Sequence, residues 1–334
     1  MCLMHDVPSR RDVLRLAALG VPALAAGARS GRVFAAANAV ASAPLRVGTV
    51  EITRVVESEG PMMQLSSFFF DAASGASLSD DAVEAHREWL DRWALARDGT
   101  MIFSIQSVLV RTRRHVILVD TCAGAGANKA GASIDFSAVP YFQRLRAAGV
   151  RPEDVDLVLC THLHSDHVGW NTLSRDGRLV PTFPKAKYVF DRREWGYWKE
   201  RKEGDFGYEP IRDRVRPIVD AGSALLVDPP HEIDEEARIE PIYGHTPGQI
   251  ALRISSGERV GILVGDLMHH PIQCAETYWD SKFSVDSKVS VAARRAFLER
   301  HAGTDALVIP AHFPTPGAGR VVAHGKSWRF ANVG

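Results

Sequence analysis

Short apolar runs recur from Leu45 onward, and five of them end on a residue able to bind metal. Val116-Ile117-Leu118-Val119 ends at Asp120, Leu157–Cys160 at Thr161-His162, and Ile239–Tyr243 at Gly244-His245. Val260–Val264 ends at Gly265-Asp266, and Leu307-Val308-Ile309 at Pro310-Ala311-His312. Strands buried on both faces read as continuous apolar runs, and their ends can converge at one edge of a layered sheet. Loops at such ends have the rigid support that a metal cluster needs. Elsewhere the pattern differs. Leu45–Val56 alternates as a strand does, and Met101–Arg111 and His115–Asp120 read as two strands around the turn Thr112-Arg113-Arg114. Ser79 is placed to cap a helix over Asp80–Arg97, with acidic residues in its first turn and Val83, His86, Leu90 and Trp93 on one stripe. Phe136–Ala148 reads as a helix ended by Gly149. No low-complexity linker or internal repeat follows Leu45, so one domain is expected over residues 44–334.

Residues 1–43 stand apart as an expected export signal of the twin-arginine type with a mature N-terminal tail. Ser9-Arg10-Arg11 precedes the Ala/Leu-rich stretch Val13–Ala28, too short to span a membrane well. Ala37-Asn38-Ala39 and Ala41-Ser42-Ala43 offer cleavage sites. The expected location is therefore periplasmic or secreted, with no stable membrane insertion after the signal is removed; without a working signal the protein stays in the cytoplasm. Lys plus Arg and Asp plus Glu are 40 each, which argues against nucleic acid as a partner because phosphate binding needs a basic excess. Apolar residues make up 46% and charged residues 24%, the balance of a soluble enzyme acting on a small molecule. The cysteines Cys2, Cys122, Cys160 and Cys274 are too scattered for a disulfide framework. Trp89 and Trp93 share one helical stripe and suit core or dimer packing, so a homodimer is compatible with the sequence.

The densest chemistry lies in His162-Leu163-His164-Ser165-Asp166-His167. His162 and His164 share one side of an extended segment, whereas the adjacent Asp166 and His167 face apart. One metal cannot easily accept all four from so short a loop, but two neighbouring metals can. His245 and His312 are candidates for the missing ligands, and Asp266 can bridge because a carboxylate has two oxygens. Nitrogen and oxygen donors without thiolate favour zinc, while manganese, iron and cobalt also fit.

These motifs, with Gly244-His245-Thr246-Pro247-Gly248, Gly265-Asp266 and Ala311-His312, resemble the signature of the metallo-β-lactamase-fold hydrolases. The resemblance spans roughly Leu45 to Phe330. It implies an α+β fold, an αββα sandwich with two central mixed sheets flanked by helices and a dinuclear centre at one edge. It also implies that His162, His164 and His245 hold one metal, and Asp166, His167 and His312 the other. Asp120, in Leu-Val-Asp-Thr, matches a strand-end aspartate that orients a ligand. Cys122 stands where the family usually has Gly.

The departures narrow the branch. True β-lactamases usually carry Cys or Ser at the position of Asp266. Glyoxalase-II enzymes add a C-terminal helical domain for which too few residues follow His312. Quorum-quenching lactonases share the full ligand set, although many place Tyr where this chain has His269. The methyl parathion hydrolase-like branch also shares it, and is similar further through Asp286-Ser287-Lys288 and Gly325-Lys326. The expected activity is opening of a lactone, such as an N-acyl homoserine lactone, or cleavage of a similar uncharged ester by a metal-bridging hydroxide. Asp166 or Asp266 would carry the proton. The alternatives are an organophosphate triester hydrolase and a non-catalytic metal-binding module. Trp170 and Phe313, each near a ligand, are candidate pocket walls with Phe68-Phe69-Phe70 and Trp279, and His269 and His270 are candidate proton carriers.

Overall fold

The computed structural model describes residues 44–90, 93–124 and 137–333. The expected export signal therefore lies outside the described residues. Two seven-stranded mixed sheets form the centre. The first runs, in spatial order, β1 (Leu45–Val47), β2 (Val50–Gln64), β3 (Thr100–Arg111), β4 (Val116–Val119), β5 (Leu157–Leu159), β6 (Lys187–Asp191) and β7 (Ala224–Val227). Its first four strands pair antiparallel and its last four parallel. The second holds β8 (His231–Glu232), β9 (Ala237–Pro241), β10 (Ile250–Ser256), β11 (Arg259–Gly265), β12 (Leu307–Pro310), β13 (Gly319–His324) and β14 (Ser327–Asn332). Only β11 and β12 are parallel there.

Alternation along each strand sorts side chains into layers. Val108, Val110, Ile117, Val119 and Leu159 of the first sheet meet Ile239, Leu252, Leu263 and Ile309 of the second in the core between the sheets. Leu109, Leu118 and Val158 face the other way, onto Tyr141, Phe142 and Leu145 of α1 (Pro140–Ala147). Ile262, Val264 and Val308 pack on Phe297 and Leu298 of α3 (Ser287–His301). The expected αββα sandwich is the observed architecture. Between these helices in sequence lies α2 (Arg192–Trp198), capped by Asp191, whose Oδ1 accepts from Arg193 N and Glu194 N. Asp286 caps α3 in the same way.

One element departs from its pattern. Ser79 caps a helix as expected, its Oγ accepting from Ala82 N at 3.3 Å. The helix then breaks into Asp80–Glu84 and Arg87–Leu90. His86, at the break, pairs through Nε2 with Glu276 Oε1 at 2.8 Å and accepts from Trp89 Nε1 at 3.3 Å. Cys122, Cys160 and Cys274 are buried free thiols. Among the described residues no helix is long and apolar enough to cross a membrane.

Candidate metal centre

The strand ends bring the candidate ligands to one edge of the sandwich. β5 leads through Thr161 to His162, β9 to His245, β11 directly to Asp266, and β12 through Ala311 to His312. Gly265 is needed at the end of β11, where φ is +50° and a Cβ would lie 2.9 Å from the Thr161 side chain. Two groups result, His162, His164, His245 and Asp266, and Asp166, His167 and His312, with ligand atoms in each within 4.8 Å of one another.

Asp266 stands between them. Its Oδ1 is 3.0 Å from His312 Nε2 and 3.4 Å from His167 Nε2. Its Oδ2 is 3.4 Å from His245 Nε2 and 3.7 Å from His162 Nε2. Each oxygen therefore faces one group. His162 Nε2 and Asp266 Oδ1 are buried without a hydrogen-bond partner, and His164 turns Nδ1 toward His245 Nε2 at 3.0 Å. Buried donors and acceptors are normally satisfied, so these orphans fit divalent cations, which accept such lone pairs.

Outer contacts set the imidazole tautomers. His312 Nδ1 lies 2.8 Å from Ser104 O, and a carbonyl only accepts, so Nδ1 carries a proton and the ring turns Nε2 toward the centre. His167 Nδ1 likewise reaches Asp120 Oδ2 at 2.9 Å, and His245 Nδ1 contacts Ser284 Oγ at 3.1 Å. Asp120 also accepts from Thr161 N at 2.7 Å, tying β4 to the histidine loop from a left-handed φ of 57°. Asp120 thus contacts both the His167 ring and the backbone of the histidine loop.

Burial presses His162 and His245 well below the usual imidazole range and lowers His164 to about 4. All three are then neutral donors near pH 7. For Asp266 burial acts upward, but His312 and His167 outweigh it and hold the carboxyl well below its ordinary range. Asp166 is the partly open member, its side chain 30% exposed, with Oδ2 3.6 Å from His312 Nε2.

The remaining candidates divide. His269 Nε2 lies 3.1 Å from Asp266 Oδ2, and its Nδ1 is buried without a partner. His270 donates from Nε2 to Ala94 O and accepts at Nδ1 from Ile272 N, a core histidine with both nitrogens engaged. Trp170 is buried, stacked on Tyr141, and donates to Glu57 Oε1. Phe313 is buried against Trp93 and Phe330. Both rings belong to packed core layers. Phe68 is also buried, in a core cluster with Phe69 and Phe103, and its ring packs on His269 at 5.1 Å and on Phe283 at 5.5 Å. Phe206, which is 42% exposed, stacks on Phe283 and meets the His164 ring at 5.5 Å. Sequence reasoning missed Phe206 and Phe283, which lie outside any periodic stripe. It also missed Glu194, whose carboxyl burial pushes up to about 7 although backbone N–H groups of Leu163 and Gly248 act to lower it.

A model described as the metallo-beta-lactamase superfamily matches residues 102–312. Among solved structures the chain is similar to hydrolase AbOPH of the beta lactamase superfamily, with TM-score 0.71 and 23% identity over 87% of this chain and 97% of that one. It is similar to AidC, a dizinc quorum-quenching lactonase seen with a homoserine product, at TM-score 0.69 and 21% identity over 87% and 97%. A probable metal-dependent hydrolase from Staphylococcus aureus aligns at TM-score 0.61 and 15% identity over 86% and 99%. No curated protein matches the sequence. At these identities the structural likenesses speak for the fold.

Proposed function

Since the chain belongs to the metallo-beta-lactamase superfamily, we propose that it is a dinuclear metal-dependent hydrolase that opens a lactone or cleaves a similar uncharged ester. The observation that carries this reading is the Asp266 carboxylate, with one oxygen toward His162 and His245 and the other toward His167 and His312. In this reading His162, His164 and His245 would hold one ion and Asp166, His167 and His312 the second, with Asp266 placed between the two groups. Such a pair, when bound, supplies Lewis acidity and lowers the pKa of water toward neutrality, and zinc suits these donors best.

The chain's own residues do the rest. Phe206 and Phe283, with Phe68 buried behind them against His269, form an apolar wall beside His164 against which an acyl chain or aromatic group packs. Asp166, open on one side, can pass a proton to the departing alkoxide, with Asp266 the other candidate. A serine nucleophile is unnecessary, and no Gly-x-Ser-x-Gly elbow is present. The quorum-quenching lactonase among the structural neighbours agrees with this choice of substrate class.

Loaded protein is expected to bind about two metals per chain by elemental analysis; one metal in fully active protein contradicts the dinuclear reading. The substrate class is tested by specificity constants for homoserine lactones of increasing acyl length and for aryl phosphotriesters. Each methylene buried on the wall contributes roughly 0.8 kcal/mol, about fourfold in kcat/KM, until the wall ends. Phe206→Ala and Phe283→Ala should flatten that dependence. Phosphotriesters faster by orders of magnitude, with lactone rates indifferent to length, would make the chain a phosphotriesterase instead.

A further inference from the structure

A buried carboxylate outside the ligand set joins the two loops that carry three of the histidines. Glu194, on α2, is 1% exposed. Its Oε1 accepts from Leu163 N at 3.1 Å, between His162 and His164 in sequence, and from Trp198 Nε1 at 2.7 Å. Its Oε2 accepts from Gly248 N at 2.8 Å, three residues beyond His245. Leu163 and Gly248 are far apart in sequence, and Glu194 bonds to a backbone N–H of each.

The same helix grips the His245 loop from its other side. Tyr243 OH donates to Asp191 Oδ2 at 3.2 Å, and Asp191 is the N-cap of α2. Gly248 is seated against the helix so closely that a Cβ there would lie 2.4 Å from Glu194 N and 2.7 Å from its Cα. The Trp198 indole, held by Glu194, packs edge-on to His164 at 5.3 Å between ring centres. All of these contacts reach the group His162, His164 and His245; none of them reaches Asp166, His167 or His312.

We propose that Glu194 is a positioning residue that locks the His162–His164 loop to the His245 loop and thereby sets the affinity of the ion these three histidines share. This rests on the dinuclear reading above. A shared carboxylate spans the loops because each oxygen accepts from a different one. An amide cannot do the same. In Glu194→Gln the NH2 must face a backbone N–H on one side, donor against donor, and one loop is released. Partners that hold metal ligands in place are worth roughly 10–100-fold in metal affinity.

The experiment uses the zinc-loaded full chain, a graded series of chelator concentrations, and elemental analysis of the zinc retained, with circular dichroism and melting of the metal-free proteins alongside. Glu194→Gln should surrender one zinc at roughly 10–100-fold less chelator than wild type and keep the other as wild type does. Gly248→Ala, which pushes the loop off Glu194 from the opposite side, should do the same. In a His312→Ala background the remaining zinc should be the one that Glu194→Gln loosens, whereas in His245→Ala the second change should add nothing. Folded Glu194→Gln and Gly248→Ala with both zinc ions held as in wild type would overturn the proposal. So would a parallel loss of both ions tracking a lowered melting temperature, which marks a merely structural residue. A wild type holding a single zinc fails the dinuclear reading separately, and the loss of that ion from Glu194→Gln still tests Glu194.

Discussion

Asp266→Asn should release one of two bound ions and lower kcat/KM by at least about 100-fold. That figure is the upper end of what losing a partner behind the ligands costs, and Asp266 would touch the ions themselves. The side chain is 4% exposed, with one oxygen toward each histidine group. Its carboxyl is held ionised, because His312 and His167 outweigh the upward effect of burial. Asparagine keeps the shape but removes the charge, and it replaces one oxygen with an NH2 that has no lone pair for a cation. Whichever way the amide turns, one group loses its oxygen. Metal content by elemental analysis and kcat/KM on the same preparation read the two consequences together. Two ions retained with an unchanged rate would falsify the bridging role of Asp266. A melting temperature near that of wild type in the metal-free state would place the loss in the site rather than in the fold.

A second large effect concerns stability and lies away from the ions. Arg294 and Asp280 form an ion pair at 3.2 Å in which both side chains are fully buried. The guanidinium also donates to Thr277 O, Leu267 O and Trp279 O. It thus ties the segment after Asp266 and the short strand Trp279–Ser281 to α3. Arg294→Met removes the cation and leaves a carboxylate in the core whose Oδ2 already lacks a partner. Breaking a buried pair from one side costs about 3–5 kcal/mol, because the remaining charge is uncompensated. For a chain of this size that is a fall in melting temperature on the order of ten degrees. Adding Asp280→Asn should recover part of the loss by removing the stranded charge, while Thr277 O and Leu267 O stay without their donor and Trp279 O keeps only Gln273 Nε2. Denaturant midpoints of the single and double variants measure this. Arg294→Met within a degree or two of wild type, or a double variant weaker than the single, would count against the pair as the cause.

The strands were legible locally because burial on both faces leaves an apolar run that needs no knowledge of the partner. Val116–Val119, Leu157–Leu159 and Leu307–Pro310 appear where their apolar residues fall. Polar residues that interrupt such runs were legible for the same reason. His162, His164, Asp166, His167, His245, Asp266 and His312 stand out by short spacing and strand-end position, and the fold brings them together. The helix expected over Asp80–Arg97 was a local reading that long-range pairing overrode, since His86 at its break reaches Glu276. Other features have no local signal. Which oxygen of Asp266 faces which group depends on how β11 and β12 sit beside β5. Trp170 and Phe313 are close to ligands in sequence, yet they turn into core layers where Tyr141 and Phe330 receive them. Phe206 and Phe283 are far apart in sequence, and each becomes part of a wall only because the other is beside it. Glu194 is one carboxylate among many until Leu163 and Gly248 both turn their N–H groups toward it. Residue type and spacing therefore determined what chemistry this chain can do. Tertiary structure decided which side chains face one another there, because a hydrogen bond or ring contact across the sandwich leaves no period in the sequence.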